Sequence, residues 1–429
     1  MKEPDKKQKN NNYSRKDFLK KSILTFGAFT IIPRHVLGGT GYTAPSDQLT
    51  KAVIGVGAMG RGHLNYPGSK LVAVCDVDQT HLNRALSITP DGVRGYSDYR
   101  EVLEQDDVDI VHIVTPPHWH GKMAVDAANS GKDIWCEKPM TRTIGEGQEV
   151  VNAVERNGTI FRLNTWFRFR SNFYGMGTPV KPIKKLVEND VFGWPLKITL
   201  SETTGFDWKF IWRGKTDLSP QWIPESLDYN MWLGPAPYKP YHEHRVHSNF
   251  RGYWDYDGGG LGDMGQHYID PAQYLLNKDD TNPIYVDVDA PQQHPDAASS
   301  WRRIEFTYED GCKIVLDGEN RDKDAAFIEG PKGKLYRGFR SDIPNVRKLA
   351  DTLPEPESRV TDFSEAVRTR QKFALNEKNG HRSCNVVNLG IIAVRLGRSL
   401  EFDPETETFV NDQAANRMIH QPMRSPWHI

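Results

Sequence analysis

Cysteine is scarce in this chain. Cys75, Cys136, Cys312 and Cys384 are the only four in 429 residues, and no two form a Cys-x-x-Cys pair. Such spacing suggests no metal knuckle and no disulfide framework. Cys75 and Cys136 fall in apolar, strand-like runs, where a thiol packs as a small hydrophobe. Net charge is nearly absent as well, at −1 from 55 basic and 56 acidic residues. That balance gives no sign of a nucleic-acid or membrane-surface partner. No internal repeat is visible, and no low-complexity tract beyond the polar N-terminus. What is present is core material: 38% apolar residues, with 11 Trp and 18 Phe. A disordered chain is excluded on that ground, and the length suggests two to three domains.

The N-terminus reads as an export signal. Lys2, Lys6, Lys7 and Lys9 precede Ser14-Arg15-Lys16-Asp17-Phe18-Leu19-Lys20; an apolar stretch over 23–32 follows, then Pro33 and Gly38-Gly39. A basic head, a short apolar run and a small-residue exit are signal-peptide features. The run is too short to span a bilayer comfortably. Residues 1–40 resemble a twin-arginine signal, with Lys16 where the second arginine would stand. The expectation is a periplasmic or otherwise exported protein with no membrane span in its mature form. The alternative is an N-terminal arm on a cytoplasmic one. Residues 41–50 read as a linker.

From residue 51 the pattern alternates strand and helix. Strands are expected over 51–55, 70–75, 108–114, 133–136 and 159–164, with helices between them. Alternation of this kind implies a parallel sheet covered on both faces. Residues 51–170 are therefore assigned to a doubly wound Rossmann domain. Residues 171–429 are assigned to a second α/β domain. Strand-like runs near 195–202, 284–288, 302–308, 312–317 and 325–329 predict a mostly antiparallel open sheet there. Helices are expected over 261–276, 363–373 and 386–399.

The first strand leads into Gly55-Val56-Gly57-Ala58-Met59-Gly60. In a GxGxxG, the first glycine makes the tight turn and the second admits a pyrophosphate. The third lets helix and strand pack closely. The helix N-terminus, with Ala58 and Met59, offers unpaired N–H groups to phosphate. Asp76 closes the next strand about twenty residues on. A carboxylate there accepts adenosine ribose hydroxyls and repels a 2′-phosphate, which favours NAD over NADP. Further strands end in Thr115-Pro116-Pro117-His118-Trp119-His120 and in Cys136-Glu137-Lys138-Pro139. Ligands of doubly wound sheets sit beyond such strand ends. Thr115, Pro116, His120, Glu137 and Lys138 are thus placed beside the nicotinamide half.

Downstream of the glycine motif, the run 115–120 together with Glu137-Lys138-Pro139 resembles the glucose–fructose oxidoreductase / inositol dehydrogenase / rhizopine-catabolism (Gfo/Idh/MocA) family. The run Gly258-Gly259-Gly260-Leu261-Gly262-Asp263-Met264-Gly265-Gln266-His267 is similar to that family's second-domain helix. The resemblance covers about residues 50–280. It implies hydride transfer between NAD(P) and a sugar or cyclitol carbon, without a metal. It also implies an open sheet that often forms the oligomer interface, so a homo-oligomer is expected. A substrate-side arginine is implied after the strand near Asn164. Arg168, beside Trp166, is the choice, with Arg170 close behind.

The residues also make chemical sense on their own. Asp263 and His267 are four apart and share one helix face. Oxidising an alcohol needs a base for its proton, a role suited to His267. Lys138 can orient the hydroxyl and stabilise the developing oxyanion. Asp263 binds a neighbouring hydroxyl or orients the histidine. The His-rich stretch with His242, His244 and Arg245 reads as a sugar-binding loop, a metal-ligand spacing or a surface loop; the first is preferred, and no metal is assigned.

Two rival functions stand beside the dehydrogenase. One is a glycosidase that uses NAD as a relay, by oxidation, elimination and re-reduction. The other is a non-catalytic sugar-binding protein.

Overall fold

Continuous apolar runs bounded by turn residues make strands buried on both faces. The computed structural model describes residues 48–429, apart from the Trp166 side chain. The export signal and residues 41–47 of the linker lie outside the described residues. Six strands form the first sheet: β1 (Thr50–Ile54), β2 (Lys70–Cys75), β3 (Arg94–Tyr96), β4 (Ile110–Ile113), β5 (Asp133–Glu137) and β6 (Phe161–Asn164). Their order is β3-β2-β1-β4-β5-β6, with every pairing parallel. This is the doubly wound order, reversing between β1 and β4. Strands β4 and β5 are wholly buried. Strand β3 has no apolar run to announce it and is only half-covered.

Helices α1 (Ala58–His63), α2 (Gln79–Leu86), α3 (His120–Asn129) and α4 (Ile144–Asn157) flank this sheet. Asp78 caps α2 by accepting from the Thr80 N–H. Thr143 caps α4, which ends at Gly158 with φ of 62°. Both ends follow ordinary capping chemistry.

The second sheet contains β7 (Lys197–Ser201), β8 (Tyr285–Asp289), β9 (Arg303–Thr307), β10 (Lys313–Asp317), β11 (Ile328–Gly330), β12 (Gly333–Tyr336), β13 (Arg340–Ser341), β14 (Leu400–Asp403) and β15 (Thr408–Phe409). Its order is β13-β12-β11-β7-β10-β9-β8-β14-β15. Strands β7 and β10 pair parallel; the other pairings are antiparallel. Strand β9 alternates buried and half-buried residues. Ile304 and Phe306 join the core, while Glu305 faces outward between Arg303 and Lys313. Period-two alternation of this kind marks a sheet packed on one face.

Helices α5 (Gly259–Leu275) and α6 (Glu377–Leu396) pack together over the inner face. Helix α6 starts nine residues before the apolar run at 386. Asn376 caps it, and its first turns bury polar side chains that have partners. His381 Nε2 lies 2.9 Å from Glu407, and Ser383 accepts from Gln266 at 2.9 Å.

The Trp/Tyr-rich stretch between β7 and α5 folds back over the first sheet. Asp228 N donates to Val77 O at 3.0 Å, and Trp119 Nε1 donates to Trp232 O at 3.0 Å. A cleft results beyond the carboxyl ends of β1, β2, β4 and β5. No helix among the described residues is long and apolar enough to cross a membrane.

Candidate functional site

The glycine loop shows why its residues are glycines. Gly55 has φ of +84°, and a Cβ there would come within 2.8 Å of the Val114 backbone. A Cβ on Gly60 would lie 1.8 Å from Gly55 O, so α1 can pack against β1 only with hydrogen at that place. Gly57 differs, since the nearest atoms to its Cβ position are those of the His81 ring at 3.8 Å. That open side faces the cleft, where a pyrophosphate can approach backbone N–H groups. Asp76 is fixed from both sides. Its Oδ2 accepts from Val56 N at 2.9 Å and its Oδ1 from Asp78 N at 2.9 Å. The loop, the α1 N-terminus and this carboxylate fit a dinucleotide.

The cleft has a volume of about 320 Å³. Gly55, Gly57, Ala58, Met59, Gly60, Asp76, Thr115, Pro116, Glu137 and Lys138 all line it, as does Asp263. Of the residues expected to hold the cofactor, His120 is the exception. It is buried beneath the wall, its ring nitrogens 2.8 Å from Thr115 O and 2.7 Å from Pro139 O. It braces two wall segments instead of touching the cleft.

Lys138 leaves β5 and reaches α5. Its Nζ donates to Asp263 O at 2.6 Å and to Asp263 Oδ1 at 2.9 Å. Arg251 Nε donates to the same Oδ1 at 2.8 Å. Burial alone would raise the Asp263 pKa, but these two cations hold it well below the usual carboxylate range. Glu137, next to Lys138, is buried yet ionised. His63 at 2.9 Å and Asn164 at 2.5 Å help hold its pKa down to about 2 against the pull of burial. His267 lies one turn beyond Asp263 on α5, edge-on to Phe167 at 4.9 Å. Burial, then the charge of Lys138, pushes its pKa down to about 3. It is therefore neutral at physiological pH, and it stands behind the cleft wall.

Four residues expected at the substrate lie outside the cleft lining. Arg168 is buried and ion-paired to Asp270 at 2.7 Å and Asp279 at 2.8 Å. His242 accepts from His244 N at 3.0 Å, capping a short turn. The His244 ring lies 2.7 Å from the Tyr253 hydroxyl. Arg245 is held by Asp296 at 2.6 Å. Each is engaged by the contacts just given, and none lines the cleft. The Trp166 side chain lies outside the described part of the structure.

One cleft residue was not picked out from the sequence. Asp257 precedes the glycine run, is 1% exposed and lines the cleft. Its Oδ1 has no hydrogen-bond partner. Burial, then the negative charge of Asp263, raises its pKa to about 7. The folded state thus holds a proton that the unfolded chain loses near pH 4. Stability from this group is present below pH 4 and is lost as pH rises toward 7. Asp257→Asn removes that loss. Its stability gain over wild type, read from urea unfolding, should be greater at pH 8 than at pH 5 by roughly 2–3 kcal/mol. Equal differences at the two pH values would contradict this.

Comparison with known proteins is consistent with this geometry. Residues 49–165 match an oxidoreductase family with an NAD-binding Rossmann fold, and residues 176–429 match its C-terminal alpha/beta domain. The uncharacterized oxidoreductase YrbE of Bacillus subtilis (strain 168) is 32% identical over 384 residues, covering 83% of this chain and 95% of that protein. Glycosyl hydrolase family 109 protein 1 of Shewanella sp. (strain MR-4) is 34% identical over 148 residues, 31% of this chain and 32% of that one. The latter match therefore spans about a third of the hydrolase. The WlbA dehydrogenase from Bordetella pertussis, solved in complex with NADH and UDP-GlcNAcA, aligns with a TM-score of 0.59 at 17% identity, over 83% of this chain and 98% of that one. At that identity the likeness is one of fold.

Proposed function

The chain belongs to the Gfo/Idh/MocA family of NAD-binding oxidoreductases, and from that premise we propose that it moves a hydride between NAD and a hydroxyl-bearing carbon of a sugar, glycoside or cyclitol. The observation that carries this reading is the Lys138–Asp263 pair at the end of the glycine-lined cleft, with His267 one turn behind. When bound, NAD supplies the hydride acceptor or donor. Asp76 favours a ribose diol over a 2′-phosphate, hence NAD over NADP. Lys138 stabilises negative charge on the reacting oxygen. His267, neutral at physiological pH, is the acceptor we assign to the hydroxyl proton, by way of a relay through the wall in front of it. Asp263 holds Lys138 in place. Export through residues 1–40 fits a cofactor carried within the folded protein.

A second reading is the NAD-relay glycosidase, in which oxidation next to a C–H bond acidifies it and the aglycone is then eliminated. Such a route needs another acid/base group. Asp257 favours it, because its proton affinity matches neutral pH. The family 109 hydrolase among the relatives supports the same reading.

The first test is to denature purified protein and quantify released NAD(H) and NADP(H). Glycosides and free sugars are then supplied in D₂O. Accumulating NADH with an oxidised sugar supports the dehydrogenase. Free sugar carrying solvent deuterium, with no net NADH, supports the relay. Failure to bind added NAD or NADP would sink both.

A further inference from the structure

At the adenosine end of the cleft, three side chains converge from two distant stretches of chain. Asp78 caps α2, His81 lies in its first turn, and His247 comes from the segment between β7 and α5. One ligand atom from each lies within 4.8 Å of the other two. We propose that Asp78, His81 and His247 form a binding site for a divalent transition-metal ion such as zinc.

The donor set suits such an ion, since two imidazoles and one carboxylate with an open fourth position are a familiar zinc environment. Each ligand is also oriented. Asp78 is buried, and its Oδ1 accepts from Thr80 N at 2.8 Å. That leaves Oδ2 facing His247 Nε2 at 3.3 Å. His81 Nδ1 lies 3.6 Å from Asp76 Oδ2, and Nε2 is the ring nitrogen we assign to the ion. A carboxylate behind a ligating imidazole fixes its tautomer and raises its basicity. His247 has φ of +51°, a left-handed conformation uncommon in non-glycine residues. This brings its ring to 4.7 Å from that of His81.

Metal–ligand distances of about 2.0–2.2 Å imply ligand separations near ~3.4 Å in a tetrahedron. The present spread must therefore close by up to about 1.4 Å. His247 is on the surface, and rotation about its side-chain bonds supplies that movement. His242 and His244, whose spacing alone hinted at a metal, are not part of this cluster, and one ring nitrogen of each serves the loop. A bound ion would tie the segment carrying Arg251 to the strand end carrying Asp76. The site would join the two walls of the cleft without taking part in hydride transfer.

The test uses the full chain, stripped with chelator and dialysed, then titrated with Co²⁺ alone. Visible ligand-field bands report a low-symmetry nitrogen–oxygen site, and metal analysis after gel filtration gives stoichiometry. The expected result is one Co²⁺ per chain, displaced by Zn²⁺. His247→Gln and His81→Gln should each weaken binding by at least about 10-fold, since even residues behind a ligand cost that much. A His242→Gln/His244→Gln double variant should bind like wild type. The proposal is overturned if wild type takes up no Co²⁺, or if His247→Gln and His81→Gln bind as tightly as wild type. None of these readouts needs a sugar or NAD, so failure here leaves the oxidoreductase reading standing.

Discussion

Lys138→Met should slow hydride transfer by about 10²–10³-fold while leaving NAD binding nearly unchanged. An ammonium has three donors. In Lys138 two are spent on Asp263, one on its backbone oxygen and one on Oδ1. The third is left for the cleft, where a substrate oxygen would lie. Removing a donor aimed at developing negative charge costs about that factor in other enzymes. In the proposed function the dinucleotide would be held mainly by the glycine loop, the α1 N-terminus and Asp76, none of which touches Lys138. Single-turnover kinetics with a substrate that reduces NAD would measure the first effect, and quenching of protein fluorescence by NADH the second. Lys138→Arg should not rescue, because a planar fork cannot occupy both Asp263 contacts and still point into the cleft. A loss smaller than about 10-fold in Lys138→Met would remove Lys138 from the chemistry, since one oriented donor is worth more than that.

The parts of this site that could be read in the sequence are those set by local geometry. The glycine loop needs only a strand, a turn and a helix, all within residues 50–63. Asp76 is found by counting to the end of the next strand. Lys138 lies at a strand end, and Asp263 and His267 share a face by helical spacing. Asp257 has no such marker. A carboxylate before three glycines reads as a turn residue until the fold buries it beside Asp263. The one signal available was its place just before the helix that carries the other two. The His-rich stretch shows a related effect. Its residues look available in sequence, but Tyr253 and Asp296 occupy two of them. His247, the member of that stretch that lines the cleft, was read only as one of its histidines. Among elements, β12 to β15 were missed because they are two to four residues long. The start of α6 was missed because its first turns bury polar residues.

Arg168→Met is expected to cost about 3–5 kcal/mol of stability and to leave the substrate KM unchanged. Only contacts distant in sequence reveal this. The Arg168 guanidinium donates to both carboxylate oxygens of Asp270, at 3.0 and 2.7 Å, and to both of Asp279 at 2.8 Å. It also lies over the Tyr274 ring at 4.6 Å. Asp270 is fully buried and otherwise keeps only a hydrogen bond from Thr165 at 3.0 Å. Removing the arginine therefore strands a carboxylate where water cannot reach it, which is the expensive way to break a buried pair. Asp279 suffers less, because Arg359 still reaches it at 2.9 Å. The double variant Arg168→Met/Asp270→Leu removes both charges and should recover most of the loss. Urea unfolding of the two variants measures the difference. If Arg168→Met instead keeps its stability and raises KM by more than about 10-fold, equivalent to 1.4 kcal/mol of lost binding, then Arg168 serves the substrate as its place after β6 first suggested. The two outcomes separate a residue that builds the helix α5 platform from one that touches what the platform presents.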